Sequence, residues 1–218
     1  MPPDTFDEDV FVNCPFDSKY KSTLFPAIVF AIYDCGFRVR SALEVDDATV
    51  DRLDKIFNII KSSKYGVHDI SMTQLDPKTK LPRFNMPLEL GIFLAAQKYG
   101  GRKQANKNCL ILDKDRYRYH KFISDISGKD PKPHDNKVDK VIKRVRDWLN
   151  SDKPVAIMLP GDKLILERYK KFKKELPDAA RRIGLNPKDL QLIDLSHFVV
   201  GWVKRNPKED WIKKRRKK

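Results

Sequence analysis

A single charge, Glu89, interrupts the apolar run Met-Pro-Leu-Glu-Leu-Gly-Ile-Phe-Leu-Ala-Ala at residues 86–96. A helix that is apolar on every side is a buried helix, and a carboxylate is costly to bury without hydrogen bonds or a positive potential beside it. Asn85 reads as the N-cap and Pro87 as a first-turn residue, so Glu89 falls about one turn in. There a helix N-terminus favours an anion by roughly 0.3 to 1 kcal/mol. This structural role competes with a functional one. Glu89 lies four residues after Asn85 where a capping box needs three, and its neighbours Leu88 and Leu90 leave little water for a decorative charge, which favours function.

Further polar residues fall where apolar runs end: Asn13 and Asp17, then Glu44 and Asp47, then Asp69 and Ser71. Several carboxylates facing one cleft suit chemistry on a sugar. A sugar hydroxyl wants an acceptor, and an anomeric carbon losing its substituent becomes oxocarbenium-like, so an ionised carboxylate beside it can stabilise that charge or attack it. His68 reads as a core or supporting imidazole rather than a catalytic one. Arg38 and Arg40 share one side of a strand, either as solvated edge residues or, for Arg40, as a phosphate contact.

The elements that must position these groups alternate. Strands are expected at 10–14, 37–42, 65–70 and 108–113, from short β-branched and aromatic runs that stop at turn residues. Helices are expected at 18–34 despite Pro26, at 48–62, from Asn85 to the Gly100-Gly101 stop, at 116–123 and at 137–150. Residues 72–84 form a polar loop of about the length that invites a functional reading, and 124–136 reads as irregular. Residues 155–159 are either a fifth strand or the buried start of the next element. Helices at 162–176, 178–183 and 194–204 follow. Strand-helix alternation calls for a parallel sheet covered on both faces, with ligands at the carboxyl ends of its strands.

Charge divides the chain. Its net charge of +15 is spread as −2 over residues 1–100 and +17 over 101–218, ending in six consecutive cations at 213–218. That tail is either a grip for phosphates, including those of a nucleic acid, or a solubilising extension. Stacking aromatics are missing from it. The three cysteines, Cys14, Cys35 and Cys109, show no C-x-x-C spacing, so a reducing, cytoplasmic setting is expected, with neither a disulfide frame nor a zinc site. The four histidines have no ligand spacing, and no glycine-rich phosphate loop is present. The longest apolar run, 24–33, is far short of a membrane span, and no leader is expected.

His68-Asp69-Ile70-Ser71 and Asn85-x-x-x-Glu89-Leu90-Gly91 resemble the "D-(L/I)-(S/T) … N-x-x-x-E-L-G" signature of the nucleoside 2-deoxyribosyltransferase-like and TIR-like nucleotide glycosidase group. The resemblance covers about residues 8–113. It implies an α/β, flavodoxin-like three-layer sandwich with a mainly parallel sheet of about five strands over 1–152, with 153–218 as a helical appendage. It implies an N-glycosidase acting on NAD or another nucleotide as substrate, with no separate cofactor or metal. In relatives such activity often serves prokaryotic antiviral defence. Carried over, Glu89 is the nucleophile or cation stabiliser, and Asp69 a ligand for ribose hydroxyls or a helper in proton handling. Asn13, Phe16 and Asp17 meet the sugar or phosphate, Asn85 shapes the turn beneath Glu89, and Arg40, Ser71 and Met86 complete the substrate contacts. The loop at 72–84 sets Asp69 and Glu89 twenty positions apart, longer than the pattern leads one to expect. A non-catalytic nucleotide sensor in the same cleft is the rival reading. Self-association or a partner protein is expected with either.

Overall fold

The computed structural model describes residues 4–44, 47–152 and 158–209. Its sheet has five strands, all parallel, in the order β2-β1-β3-β4-β5. These are β1 (Asp9–Asn13), β2 (Arg38–Arg40), β3 (Tyr65–Asp69), β4 (Asn108–Asp113) and β5 (Lys132–Pro133). The order 2-1-3-4-5 is that of the flavodoxin-like doubly wound fold. Helices cover both faces, as a parallel sheet requires.

Alternation along the strands decides what each face buries. Val10, Val12, Tyr65, Val67, Leu110 and Leu112 face one side and join a core with α2 (Leu24–Asp34) and α6 (Val138–Ser151). On the other side Phe11 packs with α3 (Arg52–Ser62) and Phe93 of α4 (Asn85–Tyr99), and Ile111 with Met86 and Leu90 of α4. His68 stands on this second face, edge-on to Phe11 and Phe93 at 5.8 and 4.9 Å. Gly66 makes room for it, because a Cβ there would lie 2.6 Å from His68 Nε2 and 2.9 Å from the Phe93 ring.

The helix buried all round is α2 rather than α4. Residues 27–32 of α2 have no exposed surface, because the sheet lies on one side and α7 (Asp162–Arg182) and α8 (Leu192–Arg205) on the other. Phe30 meets Tyr169, Phe172 and Trp202 at ring distances of 5.3 to 5.6 Å. By contrast α4 has an outer face, on which Leu88 is 56 % exposed. Apolar composition alone does not say which helix a second layer will cover.

Other differences from the expected elements have local causes. The helix expected over 18–34 breaks at Thr23 into α1 (Ser18–Ser22) and α2. The break makes Pro26 a first-turn residue, where its missing N–H costs nothing. Residues 132–133, read as irregular, pair with Leu112 and Asp113 as an edge strand, the position in a sheet that tolerates proline. The short helix expected at 116–123 is a 3-10 turn at Arg118–Lys121. Helix α5 (Gly101–Ala105) continues past the predicted glycine stop. Helix α7 runs through Pro177 unbroken, since Phe172 and Ala180 on either side of it are both buried. Residues 45–46, 155–157 and 213–218, which carry part of the acidic loop, the possible fifth strand and the basic tail, lie outside the described residues.

One ion pair fastens α7 behind the sheet. Arg168 and Asp34 are both fully buried, with Arg168 Nη2 2.9 Å and Nε 3.1 Å from Asp34, and Arg168 Nη1 donates 2.7 Å to the carbonyl of Asn206 at the end of α8. Arg168→Ala, which strands the Asp34 charge, is expected to cost about 3 to 5 kcal/mol of unfolding free energy. Asp34→Leu/Arg168→Met should recover most of that loss in denaturant titrations, because neither charge is then left alone.

Candidate functional site

The direction in which strands are added to the sheet reverses between β1 and β3: β1 leads to α2 on one face and β3 to α4 on the other. In such sheets the crevice at this switch point, outside the carboxyl ends of the strands, is where ligands bind. Asn13 ends β1 and Asp69 ends β3, while α4 brings Glu89 in from its second turn. Asp69, Glu89 and Asp17 all lie close enough to raise the buried Cys14 thiol electrostatically, on top of the larger effect of burial. Cys14 therefore stays a thiol and offers no nucleophile at neutral pH.

Asp69 is completely buried and completely engaged. Its Oδ2 accepts from the Tyr20 hydroxyl of α1, and its Oδ1 accepts from the Ser71 N–H at 2.9 Å. His134, just past β5, accepts from the Asn136 N–H on Nδ1 at 3.0 Å, so its proton sits on Nε2. That Nε2–H lies 3.1 Å from Asp69 Oδ2, so its dipole faces the carboxylate without an aligned hydrogen bond. Burial drives the Asp69 carboxyl upward, yet His134, Tyr20 and Ser71 together hold it below the ordinary carboxylate value.

Glu89 is treated in the opposite way. Only 8 % of it is exposed, and among the described residues its carboxylate has no hydrogen bond or ion pair. Burial pushes its pKa up to about 7, opposed only by the more distant charge of Arg52. No side chain caps α4. Its cap position is Phe84, and Asn85 is an exposed first helical residue, which corrects the reading of Asn85 as N-cap. The helix N-terminus therefore does not take up Glu89 through a capping box.

The remaining predicted residues divide by what holds them. Asn13 donates to the Met86 carbonyl at 2.8 Å and to His68 Nδ1 at 3.1 Å, joining β1 to the start of α4. The pKa of His68 is lowered to about 3 by burial, with Lys107 adding to the effect, so it is a neutral supporting ring. Asp17 caps α1 through the N–H groups of Lys19 and Tyr20, and Phe16 packs edge-on to Phe25 at 5.6 Å. Arg40 is engaged at the sheet edge by Asp9 at 2.9 Å and Glu44 at 2.6 Å. The carbonyl of Ser71 accepts from Arg118 at 2.9 Å.

Tyr20, His134, Asp113 and Arg118 belong to this cluster and were not singled out from the sequence. Asp113 ends β4 as Asp69 ends β3, and that strand-end position was the available signal. Arg118 donates to Asp113, to the Ser71 carbonyl and to Thr73 at 2.7 Å, clamping the entrance of the 72–84 loop to β4. Burial raises the Asp113 carboxyl further than Arg118 lowers it, and its Oδ2 has no partner. No cluster able to hold a metal ion occurs among the described residues. No described helix is long and apolar enough to cross a membrane.

Fold and site together define a flavodoxin-like α/β protein whose Glu89 carboxylate, among the described residues, has no partner. Neither a family model nor a curated protein matches the chain.

The raised Glu89 pKa has a stability consequence. Unfolded, the group ionises near 4.5, whereas in the fold it ionises near 7. The native state thus holds its proton over that interval, and stability falls as pH rises through it. Glu89→Gln is expected to melt like wild type at pH 4 and to be more stable at pH 8, by up to about 3 kcal/mol. Equal melting behaviour of the two proteins at pH 8 would show that Glu89 is not desolvated.

Proposed function

We propose that the chain is an N-glycosidase that cleaves the bond between ribose and base in NAD or a related nucleotide, with Glu89 as the group that meets the anomeric carbon. The observation that carries this reading is a carboxylate only 8 % exposed and, among the described residues, without a hydrogen bond or ion pair, on the helix that follows β3 at the switch point of the sheet. Leaving such a group unpaired costs stability, and sites of function are where such costs persist.

As the C1′–N bond breaks, its electron pair leaves with the base and positive charge grows on the ribose. Ionised Glu89 stabilises that charge or bonds to C1′, and water or an acceptor hydroxyl then takes the sugar. Asp69 acts as a positioning residue, since its acceptor sites are taken up by Tyr20, His134 and Ser71. Asn13 sets the first turn of α4, and so the height of Glu89, through the Met86 carbonyl.

A second reading, a cleft that binds nucleotide without cutting it, is favoured by the lack of a free proton partner for Glu89. Asp17 caps α1, Asp69 is saturated and Asp113 is tied to Arg118. One experiment separates the two. Purified protein is incubated with NAD, nucleosides and deoxynucleosides, and free base is measured beside equilibrium binding. The glycosidase reading expects base release that drops at least a hundredfold in Glu89→Gln with binding retained. Its kcat/KM should climb with pH to a plateau above about 7, because the free enzyme must carry Glu89 ionised. Binding without release, in wild type and variant alike, would establish the sensor.

A further inference from the structure

Helices α7 and α8 enclose a cavity of about 360 Å³ on the side of the sheet away from α4 and Glu89. Phe172, Leu176, Phe198 and Trp202 give it an apolar lining. The Phe172 and Trp202 rings meet edge to face, 6.0 Å apart at 74°, and both pack on Phe30 of the buried helix α2, so they form the buried floor of the cavity while Leu176, Ala179 and Phe198 are its half-buried, accessible apolar surface.

Four charged side chains complete the wall, and their pairing is unequal. Glu175 accepts from Trp202 Nε1 at 2.7 Å and lies 3.7 Å from Lys171, and Asp178 is paired with Arg181 at 2.5 Å. Both acids are thus already neutralised by groups around the cavity. Arg182 and Arg205, one from each helix, have no ion pair or side-chain hydrogen bond among the described residues. Arg205 lies along Gly201, which has no side chain to displace it.

From this asymmetry we infer that the α7–α8 cavity is a binding site for a small amphipathic organic anion: an apolar body against Leu176, Ala179 and Phe198, with a carboxylate, sulfonate or phosphate between Arg182 and Arg205. An inorganic anion would gain the arginines but leave the apolar wall wet. A neutral hydrocarbon would fill the wall but leave two guanidinium groups partly desolvated beside it. Only a ligand with both parts answers both halves of the cavity, whose size lies at the lower end of the range of small-molecule sites.

The test uses the full chain and 8-anilinonaphthalene-1-sulfonate as the probe, followed by its own fluorescence and by quenching of tryptophan. Saturable binding of one equivalent to the native protein is expected. Its Kd should rise at least tenfold in Arg182→Gln/Arg205→Gln, with the thermal midpoint nearly unchanged, since both arginines are exposed and contribute only the small favourable interaction of a cation with a helix C-terminus. Filling the cavity in Ala179→Phe should abolish binding with both arginines in place. The neutral N-phenyl-1-naphthylamine should bind weakly and respond equally to wild type and the arginine variant. Unchanged sulfonate affinity in Arg182→Gln/Arg205→Gln, or an equal loss in Lys188→Gln/Lys208→Gln, which removes the same charge elsewhere, would overturn the assignment. Nucleotide turnover is not read, so the result stands apart from the fate of the glycosidase proposal.

Discussion

A carboxylate with no exposed surface, Asp69, is the constraint around which the strand ends are built. An ion in that position is tolerated only when donors replace its lost water. Two donors and a facing N–H dipole come from three separate segments: Tyr20 from α1, Ser71 from the exit of β3, and His134 from the turn after β5. Each is held in turn. Asp17 caps the five-residue helix that carries Tyr20. The His134 turn takes two successive left-handed residues, Asp135 and Asn136 at φ of 52° and 54°, residue types that bear this conformation best after glycine. Satisfying one buried charge thereby fixes the mouth of the crevice.

Glu89 and Asp69 show how one chain sets two acids apart. Both are buried, so desolvation pushes both upward, and what differs is the supply of donors. Asp69 has its full set and stays ionised, whereas Glu89 has none and ionises near neutrality. Pairs of carboxyls pushed apart in this way mark assigned roles in enzymes, one group structural or charged and the other poised. Here the group without donors is the one that retains some contact with solvent.

Local pattern made much of the architecture legible. The short apolar and β-branched runs at 10–14, 65–70 and 108–113 match β1, β3 and β4 to within a residue, and strand-helix alternation is enough to demand parallel pairing. Glu89 stood out because one charge in an apolar run is visible without tertiary information. Contacts that span the chain were not legible. Tyr20 and Asp69 are 49 positions apart, and His134 sits in a stretch without periodicity. Which apolar helix becomes the buried one was hidden for the same reason: α2 and α4 are both apolar, and only the docking of α7 and α8 through Arg168 and Asp34 decides between them. The edge strand at Lys132–Pro133 was hidden too, because two residues with a proline carry no strand signal.

The charge division of the chain gains a physical sense from this arrangement. Of the +17 of residues 101–218, +7 belongs to α6, α7 and α8, which pack behind the sheet, while Glu89 stands on the α4 side among segments of the nearly neutral first half. A strong cationic field at Glu89 would lower its pKa and keep it charged before any ligand arrived. Among the described residues only the exposed Arg52 lowers it, so burial dominates and its ionisation stays near neutrality. On the glycosidase reading, positive charge developing on a ribose makes the carboxylate form the favoured one at the moment it is needed. By linkage, the free energy that ionises Glu89 in the complex is the same free energy that stabilises the charge on the sugar. A binding cleft that never builds such charge would gain nothing from leaving Glu89 without donors.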